Sequence, residues 1–146
     1  MEFLFRPINE EDANVIISYK HGNDYKCFDS EKHASDMDTL LTSGDVDIYV
    51  AVNEDEEIIG FTEVTFDEDG IMEMSGALLP DFVGEGMGYD FITQCVDYLI
   101  DQYDYDLPNI YALLKPDDRR GVKVFERVGF QIVEEDDEWI QMSIDL

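Results

Sequence analysis

The stretch Ala77 to Tyr89, ALLPDFVGEGMGY, is where chemistry can be built. A short apolar run ends there in a glycine-studded turn, and an amphipathic helix starts at once. Gly84, Gly86 and Gly88 strip the side chains from alternate positions, so backbone N–H groups can lie bare and converge on one point while the chain takes turns a Cβ would forbid. From Met87 onward the apolar residues fall at Met87, Phe91, Cys95 and Leu99, a helical spacing. The unpaired amides of that helix's first turn and the positive end of its dipole then point into the same cradle, which suits a pyrophosphate. Glycine-rich turns also precede helices for packing alone, so the turn by itself leaves both readings open.

Charge is the second signal. Against 36 acidic residues there are only 9 Lys and Arg, for a formal net charge of −27. A field of that sign repels nucleic acid and anionic lipid and attracts cationic partners. The same excess also serves solubility or suits a salty cell interior. Within this acidic chain, Lys115, Arg119, Arg120, Lys123 and Arg127 gather in one short stretch. They are placed either to receive a phosphorylated ligand beside the glycine turn or to pair with acidic neighbours along a helix.

The order and spacing of two blocks resemble the GCN5-related N-acetyltransferase (GNAT) family. Its members carry a strand, a proline near the turn, and R-x-x-G-x-G opening a helix. Here the matching run is VGEGMG from Val83 to Gly88, with the family glycines at Gly86 and Gly88 and the proline at Pro80. Downstream, DRRGVKVFERVGF from Asp118 to Phe130 is similar to the second signature, N-x-x-A-x-x-x-Y-x-x-x-G-F. Three positions depart from the pattern. Val83 replaces the leading Arg or Gln, Asp118 an Asn that often contacts the cofactor, and Phe125 a Tyr that often serves as general acid.

The resemblance implies a mixed α/β (α+β) fold, a mostly antiparallel sheet of six to seven strands flanked by about four helices, in one domain spanning 1–146. It implies acetyl-CoA as co-substrate, no metal, and cofactor contacts at Ala77, Leu78, Gly84, Glu85, Gly86, Met87, Gly88, Tyr89, Asp118, Arg120 and Phe125. It further places the thioester carbonyl near the backbone N–H of Leu78 as oxyanion donor, where a preorganised amide is worth roughly 10²- to 10³-fold. Glu73, on the strand entering the corner, is the candidate base, with a solvated strand acid as its plain alternative. With Phe125 lacking a hydroxyl, Tyr89 or Tyr111 could act as acid, or the thiol could leave unaided. Leu113 falls near a position where relatives carry a glutamate and offers no base.

The flanking elements read from their periods. Phe3 to Arg6 is a short strand closed by Pro7. Asn9 then precedes Glu11 and Asp12 at the start of a helix whose buried stripe is Val15, Ile16 and Tyr19. A second helix starts at Asp29 or Ser30 and stops before Gly44. The family places this helical region on the acceptor side, so Tyr19, Tyr25 and Phe28 are candidates for substrate binding, or are plain core aromatics. From Asp45 the period switches to two, and breaks at 53–57 and 67–70 divide Asp45 to Leu79 into a three-stranded meander. Ile110 to Leu114 reads as a buried parallel strand reached by a crossover, Gly121 to Val128 as a short helix capped by Gly129, and Phe130 to Val133 with Trp139 to Ile144 as a last hairpin.

Cys27 and Cys95 define no disulfide framework, and the N-terminus lacks the pattern of an export signal. No apolar run has membrane-spanning length. A cytoplasmic protein, monomeric or homodimeric, with neither nucleic acid nor membrane as partner, is expected. His21 and His33 lie outside both blocks and carry no expected role. The leading functional expectation is an N-acetyltransferase acting on a primary amine of a cationic small molecule or of a basic protein N-terminus. A GNAT-fold module that binds CoA or acyl-CoA without turnover, and an acidic interaction protein with a vestigial site, are the alternatives.

Overall fold

A computed structural model describes residues 2–18, 46–84 and 86–146. Its strands are β1 (Leu4–Pro7), β2 (Asp47–Val52), β3 (Ile58–Phe66), β4 (Met72–Leu78), β5 (Asn109–Leu114), β6 (Gln131–Glu135) and β7 (Ile140–Asp145). The helices are α1 (Glu10–Ser18), α2 (Gly88–Tyr103) and α3 (Arg119–Val128). The strands form one seven-stranded sheet in the order β1-β2-β3-β4-β5-β7-β6. Every neighbouring pair is antiparallel except β4 and β5, which run parallel across the α2 crossover. The expected mixed, mostly antiparallel architecture is therefore present, with three helices among the described residues. The helix expected from Asp29 or Ser30 to Gly44 lies outside them, as do Tyr19, His21, Tyr25, Cys27, Phe28, His33 and Glu85.

The meander forms as its period and turns dictate. Asn53 closes the first hairpin by accepting the Asp55 and Glu57 amides at 2.9 Å each, and Asp67 closes the second by accepting those of Asp69 and Ile71. β2 is buried on both faces, Tyr49 and Ala51 as well as Ile48 and Val50, because helices cover it from either side. On one side α2 lays down Phe91, Cys95 and Leu99 against Met74, Ile110, Ala112 and Met142. Burying each such large side chain is worth roughly 1.5–3 kcal/mol. On the other side Ala13 and Ile16 of α1 pack on Ile48, Val50, Phe61 and Leu79.

The start of α1 is fixed by a capping box, with Asn9 Oδ1 accepting the Asp12 amide at 2.9 Å and Asp12 Oδ2 accepting the Asn9 amide at 3.1 Å. The same buried carboxylate takes both ends of the Arg6 guanidinium, tying β1 to α1. This anchor sets the helical phase and turns Val15, expected in the buried stripe, out to solvent at 41% exposure. β5, expected to be buried throughout, alternates instead: Ile110, Ala112 and Leu114 are buried while Tyr111 and Leu113 are half-buried. α3 starts at Arg119 rather than Gly121, because Asp118 caps it by accepting the Gly121 amide at 2.9 Å.

Cys95 is wholly enclosed, and burial pushes its thiol up to about 12 from an ordinary 9.0, with a hydrogen bond to Thr62 opposing the shift. Because the folded value lies above the unfolded one, this group's contribution to stability is complete below about pH 9 and is lost as pH rises toward 12. The thiolate is the nucleophile, so Cys95 will resist iodoacetamide at pH 8 in the folded protein and react once urea unfolds it. Mass spectrometry of the Cys95 peptide reads the difference.

Candidate functional site

β4 and β5 are paired only at Glu73 with Tyr111 and Met74 with Ala112. Beyond that point β4 runs on to Leu78 and β5 to Leu114 with no shared register, so the two strands part and leave a gap. Pairing with β3 decides what points into it. The Leu79 amide donates to Ile59 O at 2.8 Å, which faces Leu79 toward β3. Backbone groups alternate along an antiparallel strand, so the Leu78 N–H, opposite Gly60 in a non-bonded pair, is directed toward β5 and the gap.

At the end of the gap the chain makes a 3₁₀ turn over Pro80–Phe82 and enters the glycine loop. Gly84 and Gly86 hold φ of 83° and 81°, the left-handed region that favours glycine. Gly88 serves packing instead: a Cβ there would meet Val124 Cγ2 at 2.9 Å, so its bareness lets α2 and α3 close on one another. Met87 is the N-cap of α2 and supplies no side-chain cap. Among the described residues the amides of Gly86 and Gly88 make no backbone hydrogen bond. Bare donors, a sixteen-residue helix aimed N-terminus first, and two left-handed glycines therefore meet at one spot.

This spot opens into a cavity of about 280 Å³ between the β4 end, the loop, α2 and α3. Arg120, Lys123 and Arg127 line it, so three of the five clustered cations face the loop. Arg120 Nη1 lies 3.5 Å from where a Cβ on Gly84 would stand, and the Arg127 guanidinium lies 5.2 Å from the centre of the Tyr89 ring. Phe125 walls the cavity from within, buried at 2% exposure and edge-on to Phe130 at 5.0 Å between ring centres. The donor set is right for a multiply phosphorylated anion, and the cavity's apolar wall is right for its uncharged arm.

The family profile described as "Acetyltransferase (GNAT) domain" matches residues 2–131. The chain belongs to the GNAT acetyltransferase family. Solved structures agree on the fold. A chimera of the Vibrio cholerae spermidine N-acetyltransferase SpeG with hSSAT superposes with a TM-score of 0.77 at 15% identity, covering 99% of this chain and 96% of that one. The Vibrio cholerae spermidine N-acetyltransferase in complex with CoA and spermine gives 0.70 at 17% identity, covering 98% and 95%. A dodecameric structure of the same enzyme gives 0.68 at 17%, covering 98% and 93%. No curated protein matches the chain.

Within the GNAT fold the sequence-derived residues fall as follows. Ala77, Leu78, Gly84, Gly86, Gly88, Tyr89, Asp118, Arg120 and Phe125 all line the large cavity. Met87 does not line it; the residue is buried in the main core under the loop. Glu73 and Tyr111 stand side by side across β4 and β5, where the strands are still paired, and line neither this cavity nor the next. Lys123 and Arg127 of the basic cluster line the cavity as well, and Val124, which the sequence does not point to, lines it beside them on the same helix, a face that the helical spacing from Arg120 could have marked.

A second cavity, of about 110 Å³, opens on the other face of the sheet, where Phe61 and Ala77 belong to the α1 side of the core. Glu63, Ser75, Leu113, Lys115 and Trp139 line it. It shares Gly76, Ala77 and Asp118 with the first, so the two cavities are the two mouths of one gap. Among the described residues no group of three His, Cys, Asp or Glu could hold a metal, and no helix is long and apolar enough to cross a membrane.

Asp118 lines both cavities yet spends one carboxylate oxygen on the α3 cap. Asp118→Ala will lower stability by about 1 kcal/mol, the usual worth of such a cap, whereas Asp118→Asn will keep the cap and the stability. Urea denaturation of the two variants checks this.

Proposed function

We propose that this chain transfers the acetyl group of acetyl-CoA to a primary amine of a cationic acceptor, a small polyamine-like or aminoglycoside-like molecule or a basic protein N-terminus, by direct attack in a ternary complex. On this reading residues 1–146 act as one catalytic domain. The observation that carries it is the parted β4–β5 pair, with a phosphate-suited cradle at one mouth and, at the other, a cavity lined by Glu63, Asp118, Lys115 and Trp139.

The loop amides from Gly84 to Tyr89, with Arg120, Lys123 and Arg127, would hold the phosphates, and the backbone of Ala77 and Leu78 would take the extended arm as a strand-like neighbour. When bound, acetyl-CoA supplies an activated thioester carbonyl. The Leu78 N–H then donates to that carbonyl's oxygen as negative charge develops on it. The acceptor's ammonium must lose a proton before it attacks. A carboxylate on the acceptor face takes it, and Glu73, opposite Thr65 on that face, is the candidate. A thiol ionises at roughly 8.5, so the leaving group departs without a strong acid and Phe125 is no bar to turnover.

Phe125 also motivates the second reading, a module that binds CoA or acyl-CoA and does not turn over, because the cavity wall offers no hydroxyl at that place. Thiol release separates the two. The protein with acetyl-CoA and a panel of polyamines, aminoglycosides and basic peptides will liberate CoA thiol with at least one amine. Thermal stabilisation by CoA with no thiol released from any amine would leave the binding module standing. Assembly as a monomer or homodimer belongs to the same proposal and is read by light scattering.

A further inference from the structure

The acceptor-side cavity already holds a cation. Lys115, the first residue after β5, carries its Nζ 4.3 Å from the centre of the Trp139 ring, and both residues line that cavity together with the carboxylates of Glu63 and Asp118. Trp139 precedes β7, and Glu63 sits on β3 opposite Ser75, so three separate strands bring this seat together. A tryptophan face beside carboxylates is the surround that an ammonium prefers, and it holds one worth roughly 0.5–2 kcal/mol. The cavity also reaches Gly76 and Ala77, the residues that border the cofactor-side cavity as well.

We infer that the Trp139 face with Glu63 is a seat for a second ammonium of the acceptor, that Lys115 occupies this seat as an internal competitor, and that a diamine displaces it while its other nitrogen reaches the gap at Gly76. The class of acceptor follows: a flexible chain bearing two amino groups, one held and one reactive. A monoamine can fill only one end and gains nothing by displacing Lys115. The chain thus selects against single amines, because the seat is closed until a competing cation opens it. For the reacting nitrogen the inference rests on the transferase reading; for the seat it does not.

Trp139 is the chain's one tryptophan, so its emission reports the seat directly. Calorimetric titration of the full chain with 1,4-diaminobutane and with butylamine, alongside Trp139 emission, tests the inference without turnover. The diamine will bind saturably and more tightly than the monoamine, with a change in emission. Lys115→Met keeps the stem, removes the competitor, and will tighten the diamine by about 2- to 30-fold, the range a cation on an aromatic face covers. Arg119→Gln makes the same change of charge away from both cavities and will leave diamine affinity unchanged. Equal diamine affinity in the wild type and Lys115→Met, or an equal gain in Arg119→Gln, overturns the seat. Diamine binding without thiol release in the amine panel would leave the seat and remove the transferase; thiol release with no effect of Lys115→Met would do the reverse.

Discussion

Gly86→Val raises the Kd for CoA about tenfold or more and leaves the protein folded. Gly86 has φ of 81° with nothing within 4 Å of an added Cβ among the described residues, so a Cβ there is not crowded and the core does not register it. The backbone does. A left-handed conformation costs a residue with a Cβ roughly 1–2 kcal/mol, and more for a β-branched one. The loop relieves that strain by turning φ negative, which swings the neighbouring amides out of the cradle. Losing one hydrogen bond to a charged group costs about 1.5–3 kcal/mol. Binding must then either restore the strained φ or forgo such a bond, and the cheaper of the two, about 1–2 kcal/mol or somewhat more, is about tenfold in Kd. Gly88→Val is the contrasting case: its side chain runs into Val124 at 2.9 Å, so it will lower the unfolding midpoint as well. Isothermal titration with CoA, paired with thermal melts, reads both variants, and wild-type CoA affinity in Gly86→Val would show that the cradle is not where the phosphates go.

Much of this arrangement is legible in the chain because it is local. The meander from β2 to β4 follows from alternation and two acidic turns, and the loop follows from glycines spaced before a helical stripe. The phase of α1 is less local. Val15 has the right spacing for the core, but Asp12 is held by Arg6 of β1 and by Asn9, and that anchor rotates the helix so that Ala13 and Ile16 face inward. Gly88 looks like a turn residue and is in fact a contact between helices, which needs knowledge of where Val124 lies. The second cavity is the least legible part. Glu63, Lys115 and Trp139 sit in three separate stretches of acidic or ordinary strand sequence, and only the placement of β7 beside β5, with β5 parted from β4, brings them together. Lys115 was visible as one of five clustered cations, yet it turns to the opposite mouth of the gap from Arg120, Lys123 and Arg127.

The backbone amide of Leu78 can be deleted without touching the sheet, and Leu78→Pro will lower kcat by roughly 10²- to 10³-fold, the loss expected for one oxyanion donor. Most strand positions do not permit this test, since proline removes a ladder bond. Here the bond to β3 is made by the Leu79 amide to Ile59, and the Leu78 N–H points the other way, into the gap where β5 has already left the register. Ala77 before it is in extended strand, the conformation that a residue preceding proline favours. Leu78 also contributes a partly buried side chain to the main core, so some stability is lost with the leucine whatever replaces it. Leu78→Ala isolates that part, because it trims the same side chain and keeps the N–H. The two variants should therefore melt at comparable temperatures and bind CoA within a few-fold of one another, while only the proline loses kcat. A proline variant that binds CoA and turns over as fast as the alanine variant would take the amide out of the reaction and leave the gap as a passage for the thioester with no part in stabilising charge.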